Sequence, residues 1–227
     1  MAKKSGTAAQ RRARAEAARA AVARAQKRRR WTIVAVVAAV VVILAGVVTA
    51  VVLVNRSQTT TGGTAAGRDS APPWSVPSDT QAAVKKAGLP MLATEGTVLH
   101  IHIHLDVLAN GQAVSVPADI GIDEQAQQIS PLHTHDTTGI VHIESPTKRT
   151  FTLGQFFTEW QVSLGADHIG GLKAGGDKQF HAYVNGSERA GSPADIVLHA
   201  HDEIALVYGT SAQQANPPSK YSFPSGY

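Results

Sequence analysis

The chain of 227 residues contains no cysteine, and aromatic residues make up only 5% of it. Without thiols there is no disulfide framework and no lipid-modified cysteine after an apolar run, and blue-copper chemistry is excluded. Met91 is the one methionine besides Met1, which removes Cu(I)-thioether sites as well. Acidic residues are almost missing from residues 1–30, where eleven Lys and Arg stand against Glu16 alone, while the remainder carries ten basic and sixteen acidic residues. The formal net charge of +4 therefore belongs to a tail, and the rest of the chain is mildly acidic.

Long apolar runs are equally scarce, with one exception directly after "KRRR". The uncharged stretch Thr32 to Val54 has 23 residues, which as a helix spans roughly 34 Å, enough for a bilayer core. A cleaved signal peptide has a much shorter apolar region and a small-residue cleavage site, so an uncleaved single-pass anchor over 31–54 is expected. The basic flank, residues 1–30, then stays cytoplasmic with Trp31 at the interface, and residues 55 onward lie outside the cell membrane. That Ala- and Arg-rich flank suits a helix lying along anionic lipid headgroups, which accounts for its charge without a nucleic-acid partner. Residues 55–81, rich in Thr, Gly, Ser and Pro, read as a flexible stalk, and residues 211–227 as a disordered tail.

Residues 82–210 remain as the domain, and its core must hold it without cross-links. In "LHIHIHLDV", residues 99–107, alternation sends Leu99, Ile101, Ile103, Leu105 and Val107 to one face of a strand, and His100, His102, His104 and Asp106 to the other. Asn110-Gly111 signals a hairpin into a strand over 112–117. "TGIVHIESPTKRTFTL" suggests a second hairpin turning at Pro146, with a strand at 140–145. Leu153, Phe156, Phe157 and Trp160 form a helical stripe over 153–163, opened by a Thr152–Gln155 capping box. Strands at 179–184 and 203–208 flank another Asn-Gly turn at Asn185-Gly186. The fold class expected is α+β, a mixed sheet with one main helix.

All ten histidines lie in this domain, mostly in pairs two apart: His100/His102/His104, His133/His135 and His199/His201. Residues i and i+2 of a strand lie about 6.5 to 7 Å apart on one face, so two imidazoles can converge on one ion. The expected ligands are His102, His104, His133, His135 and His142. Asp106, Asp136 and Glu144 are expected as acceptors for the ligands' outer N–H groups, with His100 in reserve. His168 and His181 lack ligand spacing and read as hydrogen-bonded structural residues, and His199 and His201 are as readily solvent-exposed as ligating. Imidazole with optional carboxylate suits Zn²⁺, Cu²⁺, Ni²⁺ or Fe²⁺, and Zn²⁺ or Cu²⁺ is the expected cofactor.

The order hairpin, helix, strand, with "TLGQFF", "YVNG" and "VLHAHDEIALVYG", resembles the β-grasp modules of sulfur carriers and soluble ligand-binding domains over residues 140–209. It implies a β-grasp-like sheet preceded by a hairpin. "HIHIHLDV", "VPADIGI" and "PLHTHDTTGIVHIE" are similar to runs in prokaryotic single-pass membrane proteins with an extracytoplasmic His-rich domain.

The function expected is extracytoplasmic metal binding. A zinc-dependent hydrolase is the alternative from an open three-histidine site, yet "HIHLDV" has Val107 where the metallo-β-lactamase pattern "HxHxDH" needs histidine, and "HTHDTT" fails the same way. The cupin spacing, HExxH, phosphate loops and nucleophile elbows do not occur either. A metal-free β-grasp ligand-binding or interaction module is the third reading.

Overall fold

The alternation in residues 99–109 builds the centre of a sheet. The computed structural model describes residues 63–227, so the basic tail, the apolar run Thr32–Val54 and the start of the stalk lie outside the described residues. Among the described residues no helix is long and apolar enough to cross a membrane.

The described chain forms α1 (Thr80–Lys86), β1 (Leu99–Ala109), β2 (Gln112–Val114), β3 (Ile122–Asp123), β4 (Gln128–Ile129), β5 (Leu132–His133) and β6 (Ile140–Ser145). It continues through α2 (Leu153–Trp160), β7 (Leu164–Gly165), β8 (His168–Ile169), β9 (Leu172–Lys173), β10 (Gln179–Val184), β11 (Ser187–Arg189) and β12 (Glu203–Gly209). This is an α+β fold with two helices. Its main sheet is seven-stranded in the order β11-β10-β12-β1-β6-β5, with β2 beside the far half of β1. β1 runs parallel to β12, from His104 opposite Glu203 to Ala109 opposite Tyr208, and antiparallel to β6, from Leu99 opposite Ser145 to His104 opposite Ile140.

The odd-numbered side chains of β1 do face the core. Ile103, Leu105 and Val107 join Val141 and Ile143 of β6, Ile204 and Leu206 of β12, and the α2 stripe Leu153, Phe156, Phe157 and Trp160 in one buried cluster. Each large apolar side chain taken fully from water contributes about 1.5–3 kcal/mol, so this face alone sets the register of the strands. The Thr152–Gln155 capping box forms as expected. The Asn110-Gly111 and Asn185-Gly186 turns both have positive φ at each residue, the requirement that selects Asn-Gly.

Several expectations fail at element ends. The helix stops at Trp160 rather than 163, because Gln161 takes a left-handed conformation with φ 56°. β2 ends at Val114 rather than 117, just short of Pro117, which lacks a ladder N–H. The second hairpin does not form. β6 pairs with β1 on one edge and β5 on the other, leaving residues after Pro146 no edge to join. The sheet also takes in β1, so the arrangement reaches well before residue 140, and α1 is an element the sequence did not suggest.

The stretch read as flexible stalk is bound to the domain from its first described residues. Ala65 bridges to Leu164 and Arg68 to Val162, and the Trp74 ring, 3% exposed, meets Trp160 edge-on at 5.7 Å. One buried tryptophan outweighs the polar composition around it, because its large apolar surface gains most by leaving water.

Candidate metal centre

Strand pairing lines up three histidines that the sequence keeps apart. His102 of β1 sits opposite His142 of β6, and His142 in turn opposite His133 of β5. The three therefore form a row across the polar face of the sheet, at the spacing of directly paired residues. The His133 and His142 rings stack with centroids 5.1 Å apart, and His102 meets His142 edge-on at 4.5 Å. His135, just past the end of β5, swings its ring back to 4.7 Å from His133 and 4.6 Å from His142. His133, His135 and His142 each bring one ligand-competent atom within 4.8 Å of the other two, so these residues could hold a metal ion. The side chain of His135 is 43% exposed and opens this group to solvent.

Hydrogen bonds fix which nitrogens are free. His133 Nδ1 lies 2.9 Å from the Ser130 carbonyl, which can only accept, so Nδ1 carries the proton and Nε2 the lone pair. His142 Nδ1 lies 3.0 Å from Glu144 Oε1 and is held in the same way. The Nε2 atoms of His133 and His135 are 3.2 Å apart. Two nitrogens bound to one tetrahedral zinc at about 2.0–2.1 Å are separated by about 3.3 Å. Burial lowers the pKa of His133 to about 3, so its imidazole stays neutral and able to ligate.

Glu144 is the anionic centre of the face. Besides His142, its Oε1 lies 3.4 Å from His100 Nε2 and 3.7 Å from His102 Nε2. Burial opposes ionisation of this carboxyl, but the hydrogen bond from His142 and the attraction of His133, His100 and His142 win, lowering its pKa to about 2. Burial, with repulsion from His142 and His100, lowers His102 to about 4. Glu144 Oε2 is buried without a hydrogen-bond partner. An unsatisfied carboxylate oxygen beside several imidazoles is what a cation would relieve.

His104 belongs to a separate arrangement. Its Nδ1 meets Glu203 Oε2 at 2.7 Å, its Nε2 meets the Thr138 carbonyl at 2.9 Å, and Asp106 stands 3.9 Å away. Burial works against charge on both groups, yet the hydrogen bond and attraction of Glu203 raise the pKa of His104, and burial raises that of Glu203. Gly139, with φ 89°, lets the chain pass here: a Cβ would sit 2.7 Å from the Leu105 carbonyl and 3.0 Å from His104 Nε2.

Of the five expected ligands, the structure brings His133, His135 and His142 together, sets His102 beside them with His100 and Glu144, and leaves His104 with Asp106 and Glu203. Both His104 nitrogens are engaged, so it is not available to the cluster. Of the expected acceptors, Glu144 takes the His142 N–H, whereas Asp136 caps the Thr138 N–H and hydroxyl instead. His168 bonds Ser163 and Asp167, and His181 bonds Glu188, as structural histidines do. The His199 side chain is 72% exposed.

Residues 211–227, expected to be disordered, fold back on the domain: Ser211 and Gln214 bond to Gln179, Tyr183 and Val207, and the last seven residues reach the histidines. Tyr221 stacks on His104 at 3.7 Å and 5°, Phe223 packs on His201 at 4.9 Å, and Tyr227 leans on His102 at 4.7 Å. Sequence reasoning missed these contacts and those of Ser130 and Glu203. The one available signal was three aromatic residues in a tail otherwise polar. Compared with known protein families, curated proteins and solved structures, the chain matches none.

Proposed function

We propose that this protein binds a divalent transition metal, Zn²⁺ or Cu²⁺, through His133, His135 and His142, with Glu144 orienting His142. The observation that carries the proposal is the convergence of three imidazoles, two of which, His133 and His142, have their proton placed from outside by Ser130 and Glu144. Imidazoles held this way need no rearrangement to coordinate, which favours binding over an incidental polar face.

In the same reading the chain is a single-pass membrane protein, with residues 1–30 cytoplasmic against anionic lipid and the histidine domain outside. The apolar run and its basic flank support this, and a reporter fused after Gly209 that is active only in the cytoplasm would refute it. A β-grasp-like domain belongs to the same reading, supported by an antiparallel pair, β1 with β6, followed along the chain by α2 and by a second antiparallel pair, β10 with β12.

Titration with Zn²⁺ and Cu²⁺ at neutral pH tests the metal reading. Micromolar or tighter binding is expected, abolished by His133→Ala with His135→Ala. At free metal of about a hundredfold Kd the parent gains about 2.7 kcal/mol of stability that the double variant lacks. Absence of binding, or a double variant that binds like the parent, returns the histidines to hydrogen-bonding residues of a metal-free module.

A further inference from the structure

The residues beside the proposed ligands form a second set that shares none of them. His100 and His102 lie on the same face of β1 with ring centroids 5.0 Å apart, and Glu144 stands directly opposite His100 on β6. Ligand-competent atoms of the three lie within 4.8 Å of one another. The distances from Glu144 Oε1, 3.4 Å to His100 Nε2 and 3.7 Å to His102 Nε2, are long for hydrogen bonds, which run at about 2.7–3.2 Å. The 3.4 Å approach falls within the separation of about 3.3–3.6 Å between donors around a tetrahedral ion at about 2.0–2.2 Å, and the 3.7 Å approach lies just beyond it.

Glu144 supplies an independent observation. It is 2% exposed, and its Oε2 is buried with no partner. A buried carboxylate satisfied on one oxygen keeps a desolvation cost that a cation within ligand distance removes. The His142 hydrogen bond and the approaches to His100 and His102 all fall on Oε1, which leaves Oε2 as the oxygen that a bound ion would satisfy.

We infer that the face holds two metal ions, the second bound by His100, His102 and Glu144 beside the one at His133, His135 and His142. This rests on the metal reading above. Two imidazoles and a carboxylate suit Zn²⁺ or Cu²⁺. Glu144 then ligates the second ion while accepting the N–H of a ligand to the first, so one carboxylate balances charge for both.

The test is stoichiometry. The full chain, solubilised in mild detergent and stripped with a chelator, is titrated with Zn²⁺ against a chromophoric competitor at neutral pH. The parent should take up two tight equivalents, and His100→Ala and His135→Ala one each. The His100 side chain is 50% exposed, so its removal leaves the core intact. Co²⁺ absorption bands give a second readout: His100→Ala should keep the bands of the first ion and lose those of the second. One equivalent in both the parent and His100→Ala overturns the second ion and leaves the first standing. No uptake by the parent overturns the metal reading itself, and the second ion with it.

Discussion

Glu144 Oε1 accepts the Nδ1–H of His142 at 3.0 Å, two residues along the same strand, and so leaves the other nitrogen of that ring with its lone pair. The pair is buried, with Glu144 and His142 on the polar face of β6. A carboxylate in this position strengthens the imidazole as a ligand by partly withdrawing its proton.

Glu144→Gln keeps the shape and an acceptor oxygen but removes the charge. Zn²⁺ affinity should fall about 10- to 100-fold, measured by competition titration. Unchanged affinity would mean that Glu144 does not act through His142.

Metal-free stability should depend on acid through His133 and His102. Their folded-state values, about 3 and about 4, lie below the 6.5 of a free histidine. The stabilisation they confer is present above pH 6.5 and is lost as pH falls through that window, at roughly 1.4 kcal/mol per pH unit for each such group. Thermal unfolding of chelator-treated protein should show Tm falling from pH 6.5 to 4, less steeply in His102→Asn. Parallel profiles for parent and variant would contradict this.

Glu159 gives the opposite slope. It lies on α2 among apolar side chains, hydrogen-bonded to Ser130, and burial raises its pKa well above 4.5. Its contribution is fully present below pH 4.5 and is lost as pH rises through the folded-state value. Urea unfolding of Glu159→Gln across this range should lack that decline, whereas the parent should show it.

Tyr221→Ala removes the ring stacked on His104. The expected loss is about 0.5–1.5 kcal/mol by urea denaturation, with residues 215–227 becoming sensitive to protease. A variant as stable and as resistant as the parent would show that the tail does not depend on this contact.

By itself the sequence determined the longer strands and the helix face, because period-two and helical alternation state directly which side chains must leave water. His100, His102 and His104 share a face for that reason alone. The capping box and both Asn-Gly turns are likewise local, since their hydrogen bonds and φ values involve residues at most three apart. Which histidines meet was decided only by tertiary structure. His133 and His142 are neighbours because β5 pairs with β6, and His104 is drawn away because β12 sets Glu203 opposite it, 99 residues along the chain. Strand order depends on how the whole apolar face packs against α2, a sum over distant residues that no single window contains. The same applies to Trp74 and Tyr221, whose segments read as polar linkers by composition: each side chain is held by a surface that exists only once the sheet has formed.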